Sequence, residues 1–452
     1  MSVDALTHEL TEALNDVPMY DVHTHLTSDQ LGARGLHDIL LYHMVISDLY
    51  GAGCPDGARL TPYPGVPADA EVDERITRAI PYLPRTRNTS NTWGLRTILR
   101  DLYDWHAPVD LSNWRSLHGL IKERAADPGW AHSILDRLHV LRTNAEYTRR
   151  GAGTNDDRLM YSLEWGMVTR AQWGEFDTPL YELERCWSMP QAGGPMEIGG
   201  GQRDLLSVAI RSAEDARVAT AHFVRVIPDY LIAMATHLST DISYSAPSDE
   251  SFERALARRH EAGPHERDIY ASFLNELLLT ELADKRPGLV FQFSFGAEPL
   301  PFETAARLNQ DTIGQLALMV ARHPGVKFQC NNATRHANQE LCTLTRELPN
   351  FSLAGYWWHN FYPDAIAQIA GERLDMVPLT SQCGFFSDAY SVEWTYAKAV
   401  IVRKQLARAF AERVDRGQYT IDDALDIADA ILRETPERLL GMTRRPSLGV
   451  PA

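Results

Sequence analysis

Cysteine is scarce: five residues in 452, Cys54, Cys186, Cys330, Cys342 and Cys383. The number is odd and no pair has C-x-x-C spacing, which argues against a disulfide framework and against a structural zinc knuckle. They read as reduced thiols of a cytoplasmic protein. The chain also lacks an apolar run of membrane-spanning length, so no segment is expected to cross a bilayer. Its opening, MSVDALTHELTEALND, has acidic residues where a secretory leader would be basic, and reads as an acidic amphipathic helix. Basic charge is in deficit, 44 Lys and Arg against 60 Asp and Glu, for a formal charge of −16. The cations are scattered rather than striped, which excludes nucleic acid and anionic membrane as expected partners. There is no low-complexity tract and no short-period repeat, and no G-x-G-x-x-G follows a predicted strand.

What is present is enough apolar residue, 44% of the chain, to build a large core. From 288 onward, short apolar runs alternate with helical patterns. GLVFQFSFG (288–296), GVKFQCNN (325–332), FSLAGYWW (351–358) and DMVPLTSQCG (375–384) read as strands, and DTIGQLALMVARHP and ANQELCTLTRELP as the helices between them. Further strands are expected at YLIAMATHLS (230–239), at DRLHVLRTN (136–144) and at the apolar run ending near residue 25. Strand, helix, strand in repetition implies a parallel sheet, and this count fits an α/β fold of the (β/α)8 TIM barrel type. The chain is read as a single barrel domain over 1–452. Residues 30–150 are mainly helical, too many for one crossover, and a helical insertion or subdomain is expected at about 45–135, between the first and second strands.

The stretch PMYDVHTHLTSDQ (18–30) places His23 and His25 two residues apart at the end of the first strand. In a regular strand such residues share a face, so both imidazoles would leave the strand end in parallel, a chelating arrangement. Barrel enzymes build their sites at the C-terminal ends of strands. The natural complement is a carboxylate near the last strand, and LTSQCGFFSDAYS offers Asp388. Two imidazoles and one carboxylate suit a divalent metal, Zn²⁺ first and Mn²⁺ or Fe²⁺ after it, with positions left for water or substrate. His43 lies on the apolar helix pattern ILLYHMVISDLY, where a packed histidine is the commoner outcome. AGYWWHN closes another predicted strand with Trp357, Trp358 and His359, groups that can wall a polar pocket.

The ordered set DVHTHL, His43, GYWWHNFYPDAIAQIAGERLDMVPL and SDAYS resembles the uronate isomerase family of the amidohydrolase superfamily. The resemblance runs nearly end to end and is weak through the insertion. It implies a divalent metal on His23, His25 and Asp388. It also implies an aldose–ketose conversion of a sugar acid through an enediol-like state, with Asp388 and His43 doing the proton work. The chain departs from the family where a sugar carboxylate would be held. The family's Asp-Ser-Arg or Asp-Ala-Arg ends here in Tyr390, the tyrosine after the helix histidine is Met44, and the strand-six loop carries Glu298 near the strand end. A carboxylate clamp, if rebuilt, would draw on Arg142, Arg149 or Arg150, or on Arg335.

Two catalytic readings therefore stand. One is a metal-dependent isomerase acting on a sugar acid or related polyol, its substrate contacts drawn from Tyr390, Trp358, His359, Arg142 and Glu298. The other is a metal-dependent hydrolase or lyase acting on a neutral or cationic small molecule, with Asp388 as base. A non-catalytic barrel is the weakest alternative, because both histidines and the aspartate occur together. The expected partner is a small-molecule substrate, and assembly into a homo-oligomer is left open.

Overall fold

The computed structural model describes residues 2–28, 30–55, 69–146, 156–164, 183, 209–238, 242–258, 261–299, 304–306, 308, 310–356 and 362–443. Among them are the strands β1 (Met19–Thr24), β2 (Val140–Glu146), β3 (Leu159–Glu164), β4 (Leu231–Leu238), β5 (Val290–Phe295), β6 (Ala297–Pro299), β7 (Thr304–Ala306), β8 (Lys327–Asn332) and β9 (Phe351–Leu353). Seven of these form one sheet in the order β1-β2-β3-β4-β5-β8-β9, each pair parallel. The short β6 and β7 pair antiparallel on their own. β1 and β5 are buried at every position. That is what a parallel sheet covered on both faces demands, and it is why these segments read as near-continuous apolar runs.

Two expectations need correction. DMVPLTSQCG is not a strand: the helix Pro363–Met376 runs into it, and a 3-10 turn, Leu379–Ser381, takes the middle. Pro378 and the short polar turn have no strand alternation to offer. Conversely β3 was not anticipated from LMYSLE, a short run followed by no clear turn signal. The segment after the 3-10 turn nevertheless reaches both edges of the sheet. The Cys383 amide donates to the Leu353 carbonyl of β9 at 2.8 Å, while His25 N donates to Ala389 O at 2.9 Å and Asp388 N to His23 O at 3.1 Å, next to β1. Gly355 permits the close approach on the β9 side, since a Cβ there would stand 2.7 Å from the Phe386 amide nitrogen.

Apolar packing divides in two. A large cluster lies between sheet and helices, and includes Phe291, Phe293 and Phe295 of β5. A smaller one gathers Tyr20, Val22, Met160, Ile232, Val290, Cys383 and Phe386 with Leu440 and Met442. β5 thus sends its phenylalanines one way and Val290 and Gln292 the other, as period-two geometry requires. The helix Val3–Asn15, capped by Ser2 accepting from the Ala5 amide, buries Leu6, Leu10 and Leu14 and packs on the largely buried helix Val392–Asp415. Leucines at i, i+4 and i+8 make a single stripe, the amphipathic helix expected at this end.

Between β1 and β2 the described residues are helical: Leu36–Leu40, His43–Gly51, Asp69–Ala79, Ser90–Tyr103, Trp114–Ala125 and Trp130–Arg137. Glu393, early in Val392–Asp415, ties this region down. Its carboxylate accepts from Tyr103 Oη at 3.0 Å, Trp130 Nε1 at 3.2 Å and the Ala33 amide at 2.9 Å. Among the described residues no helix is long and apolar enough to cross a membrane.

Candidate metal centre

β1 delivers its two histidines through an irregular end. The β1–β2 register shifts between Asp21 and Thr24, and such breaks in a ladder re-aim side chains. The imidazoles are consequently not parallel as plain alternation would have them. His23 and His25 meet edge-on, centroids 5.2 Å apart at 88°.

The opposing group comes from the 387–389 turn. His25 Nε2 stands 3.0 Å from Asp388 Oδ1, and one donor atom from each of His23, His25 and Asp388 lies within 4.8 Å of the others. Two donors each about 2.0–2.2 Å from a shared ion at tetrahedral or right angles stand roughly 3.0–3.5 Å apart, so the His25–Asp388 spacing fits one ion. The donor set, two imidazoles and a carboxylate, suits a divalent cation.

The shell beneath the histidines also fits. His23 Nδ1 and Gln292 Oε1 are 2.7 Å apart. With Gln292 as acceptor, Nδ1 carries the proton and Nε2 is the lone-pair nitrogen on offer to a metal. The amide is itself fixed: Gln292 Nε2 donates to the Val22 carbonyl at 3.0 Å and to Gln329 Oε1 at 2.7 Å, and Gln329 Nε2 reaches Cys383 Sγ at 3.4 Å. Gln292 and Gln329 were missed in the sequence. The available signal was a glutamine in the middle of VFQFSF and again in KFQCNN, polar side chains in strands buried at every position but Lys327.

Electrostatics favour an anionic Asp388. Burial alone would raise its carboxyl, but the hydrogen bond and charge of His25, with the charges of Lys398 and His43, hold it well below the usual carboxylate range. Asp21, fully buried, is pushed up to about 7 by desolvation, against the hydrogen bonds from Ser387 and His23 and the charge of Lys398. Lys398 was not anticipated either. It is pulled down to about 8 by burial, against the raising influence of Asp388 and Asp21.

The other expected site residues divide. Tyr390 comes to the centre and stacks on His25, centroids 4.6 Å apart at 16°. His43 starts its helix rather than lying within one, and its ring stands 5.5 Å from Tyr390. Arg142 is not brought to the cluster: it lies in the first half of β2, in register with Tyr20, and its guanidinium donates to the Met442 carbonyl at 2.8 Å. Arg335 is exposed in a short 3-10 turn after β8. Trp357, Trp358, His359, Arg149 and Arg150 lie outside the described residues, as does the Glu298 side chain.

No protein-family model and no curated relative matches the chain. Solved structures do. Glucuronate isomerase of Caulobacter crescentus superposes with a TM-score of 0.77 at 13% identity, covering 100% of this chain and 96% of its own. A uronate isomerase of Bacillus halodurans gives 0.68 at 16%, over 98% and 97%. A candidate metal-dependent hydrolase of Lactobacillus casei gives 0.58 at 14%, over 96% and 98%. At such identities the likeness is one of fold, and it extends over nearly the whole chain.

Proposed function

We propose that the chain is a metal-dependent isomerase of the uronate isomerase type, interconverting the aldose and ketose forms of a sugar acid or related polyol. The observation that carries this reading is the convergence of His23, His25 and Asp388 at the end of β1, in a chain whose whole fold is that of uronate isomerases. The hydrogen bonds of 383–389 to both β9 and β1 support a sheet closed into a (β/α)8 barrel, with this irregular segment as the eighth stave. The helices at about 45–135 are then an insertion within one domain.

His23, His25 and Asp388 would hold the ion, zinc by donor type. When bound, it would polarise the carbonyl and hydroxyl oxygens on the two adjacent carbons between which the proton must move. The chain supplies the remainder. Asp388, anionic at neutral pH, is an acceptor for a proton leaving carbon or oxygen. His43, close enough to influence Asp388 and facing Tyr390, is the candidate to return it. The buried Gln292–Gln329 pair keeps the His23 tautomer constant through the cycle.

Tyr390 supports a second reading, hydrolysis or elimination on a neutral or cationic molecule. It presents a ring on His25 where a uronate clamp would present a guanidinium, and Arg142 and Arg373 are engaged elsewhere, the latter with Asn338 and the Ala354 and Gly355 carbonyls. A buried carboxylate without a charge partner costs several kcal/mol. The deciding assay loads the protein with Zn²⁺ or Mn²⁺ and measures kcat/KM on glucuronate, galacturonate, the corresponding neutral aldoses and a panel of esters and amides. Isomerisation of any sugar or sugar acid at about 10⁴ M⁻¹s⁻¹ or above supports the isomerase. Turnover confined to hydrolysis overturns it.

A further inference from the structure

Asp388 adopts a left-handed backbone, φ 53°, although it is not glycine. Such a conformation is uncommon outside glycine, tolerated best by Asn and Asp, and endures where its surroundings over-determine it. Here the turn is held at successive backbone groups. Ser387 N donates to Asp21 Oδ1 at 2.8 Å. Asp388 N donates to the His23 carbonyl, and the Ala389 carbonyl accepts from His25 N and from Thr24 Oγ1, both at 2.9 Å.

The Asp388 carbonyl has a different kind of partner. Tyr42 Oη donates to it at 2.8 Å, and Lys398 Nζ approaches it at 3.3 Å while donating to Tyr42 Oη at 2.7 Å. Lys398 is 2% exposed, its ammonium lies 5.0 Å from the Tyr42 ring centroid, and that ring stacks on Trp394 at 4.6 Å. A buried ammonium is expensive and needs a reason. As a helix residue it would be replaced by an apolar one at no structural loss were it only filling space.

We infer that Tyr42 and Lys398 are positioning residues for the metal carboxylate: together they lock the Asp388 peptide in its left-handed conformation and so aim its side chain at His25. The inference rests on the metal reading above and names residues beyond the three ligands. Tyr42 directly precedes His43, whose ring is 4.3 Å away, so the same clamp ties the start of the His43–Gly51 helix to the carboxylate.

Co²⁺ binding provides the test, since its visible bands report ligand geometry and need no turnover. The full chain is stripped and titrated with Co²⁺ against a competing chelator, for the parent, Tyr42→Phe and Lys398→Met, with Tyr396→Phe, which loses a hydroxyl on the same helix, as control. The expected result is a 10- to 100-fold loss of Co²⁺ affinity in both clamp variants, roughly what losing an outer-shell partner costs. Their visible spectra should alter, while Tyr396→Phe matches the parent. Thermal midpoints should stay near the parent value in Tyr42→Phe and not fall in Lys398→Met, because an unfavourable buried charge has gone. Parent-like affinity and spectrum in both variants overturns the inference alone. Failure of the parent to bind Co²⁺ overturns the metal reading with it. Should Lys398→Met fail to fold, Tyr42→Phe, which deletes one oxygen atom, decides.

Discussion

The two sides of the candidate centre are built from different chemistry. Beneath the histidines lies a chain of amides, Gln292 to Val22 and Gln329 and on to Cys383, in which each described polar atom is aimed by a partner. Against His25 stands an aromatic rim: Tyr390 lies flat on His25 and edge-on to His43, at 5.5 Å between the latter centroids. The difference is instructive because the two layers answer to different demands. An ion requires fixed lone pairs, which a hydrogen-bonded floor provides and which tolerates little change. A substrate requires a surface of matching shape and charge, which can be altered without disturbing the ion. On the proposed reading the floor serves the ion and the rim serves the substrate.

Changes to the ligands themselves should have the largest effect. His23→Ala with His25→Ala, or Asp388→Asn, should leave a folded protein with less than a tenth of the parent's metal, measured by elemental analysis after dialysis, and no detectable turnover. Stoichiometric metal in the double mutant would remove the distinction between floor and rim altogether. Next is the floor. Gln292→Leu takes the acceptor from His23 and leaves the Gln329 oxygen and Val22 carbonyl without their donor. Metal affinity should fall 10- to 100-fold by chelator competition, with a loss of about 1–3 kcal/mol in chemical unfolding.

The rim should yield a gain where the floor yields losses. Tyr390→Arg supplies a charge-assisted fork to the turn after Asp388, worth about 1.5–3 kcal/mol when paired with a carboxylate. Residual kcat/KM on hexuronates should rise by roughly 10- to 100-fold at unchanged metal content. A rise on neutral aldoses of the same size would show that pairing with a carboxylate was not the cause.

The smallest effect concerns Glu393, whose carboxylate is bonded to Tyr103, Trp130 and the Ala33 amide. Burial raises its carboxyl above 4.5, against hydrogen bonds from the Ala33 amide, its own backbone, Tyr103 and Ser391. With the folded pKa raised, the native state binds the extra proton above about 4.5. Stability attached to this group is therefore full below that pH and falls as pH rises through the raised value. Glu393→Gln should flatten this part of the stability–pH curve, followed by urea midpoints, without moving metal affinity.

Much of the fold was legible in the sequence for a physical reason, though the glutamines of the floor were not. Strands buried on both faces are apolar runs, so β4, β5 and β8 announced themselves, and His23, His25 and Asp388 stood out as metal-binding types at strand ends. The rest depends on contacts between distant residues. The segment near 382–389 pairs through isolated hydrogen bonds rather than a ladder, and its sequence has no strand period to read. Lys398 sits on a helix pattern where a lysine ordinarily means solvent, and only packing against Tyr42 and the Asp388 carbonyl gives it another meaning. Arg142 was one of the four arginines on which a carboxylate clamp could draw. In the fold it belongs to the strand's beginning, where Met442 takes it.

The central claim is that one divalent ion sits where β1 meets the 387–389 turn, and the most direct test is a crystal structure of zinc-loaded protein with anomalous data at the zinc edge. The account predicts one strong peak about 2.0–2.2 Å from His23 Nε2, His25 and an Asp388 carboxylate oxygen, with His23 Nδ1 still on Gln292. A peak elsewhere in the molecule, or none in crystals soaked to saturation, would contradict it.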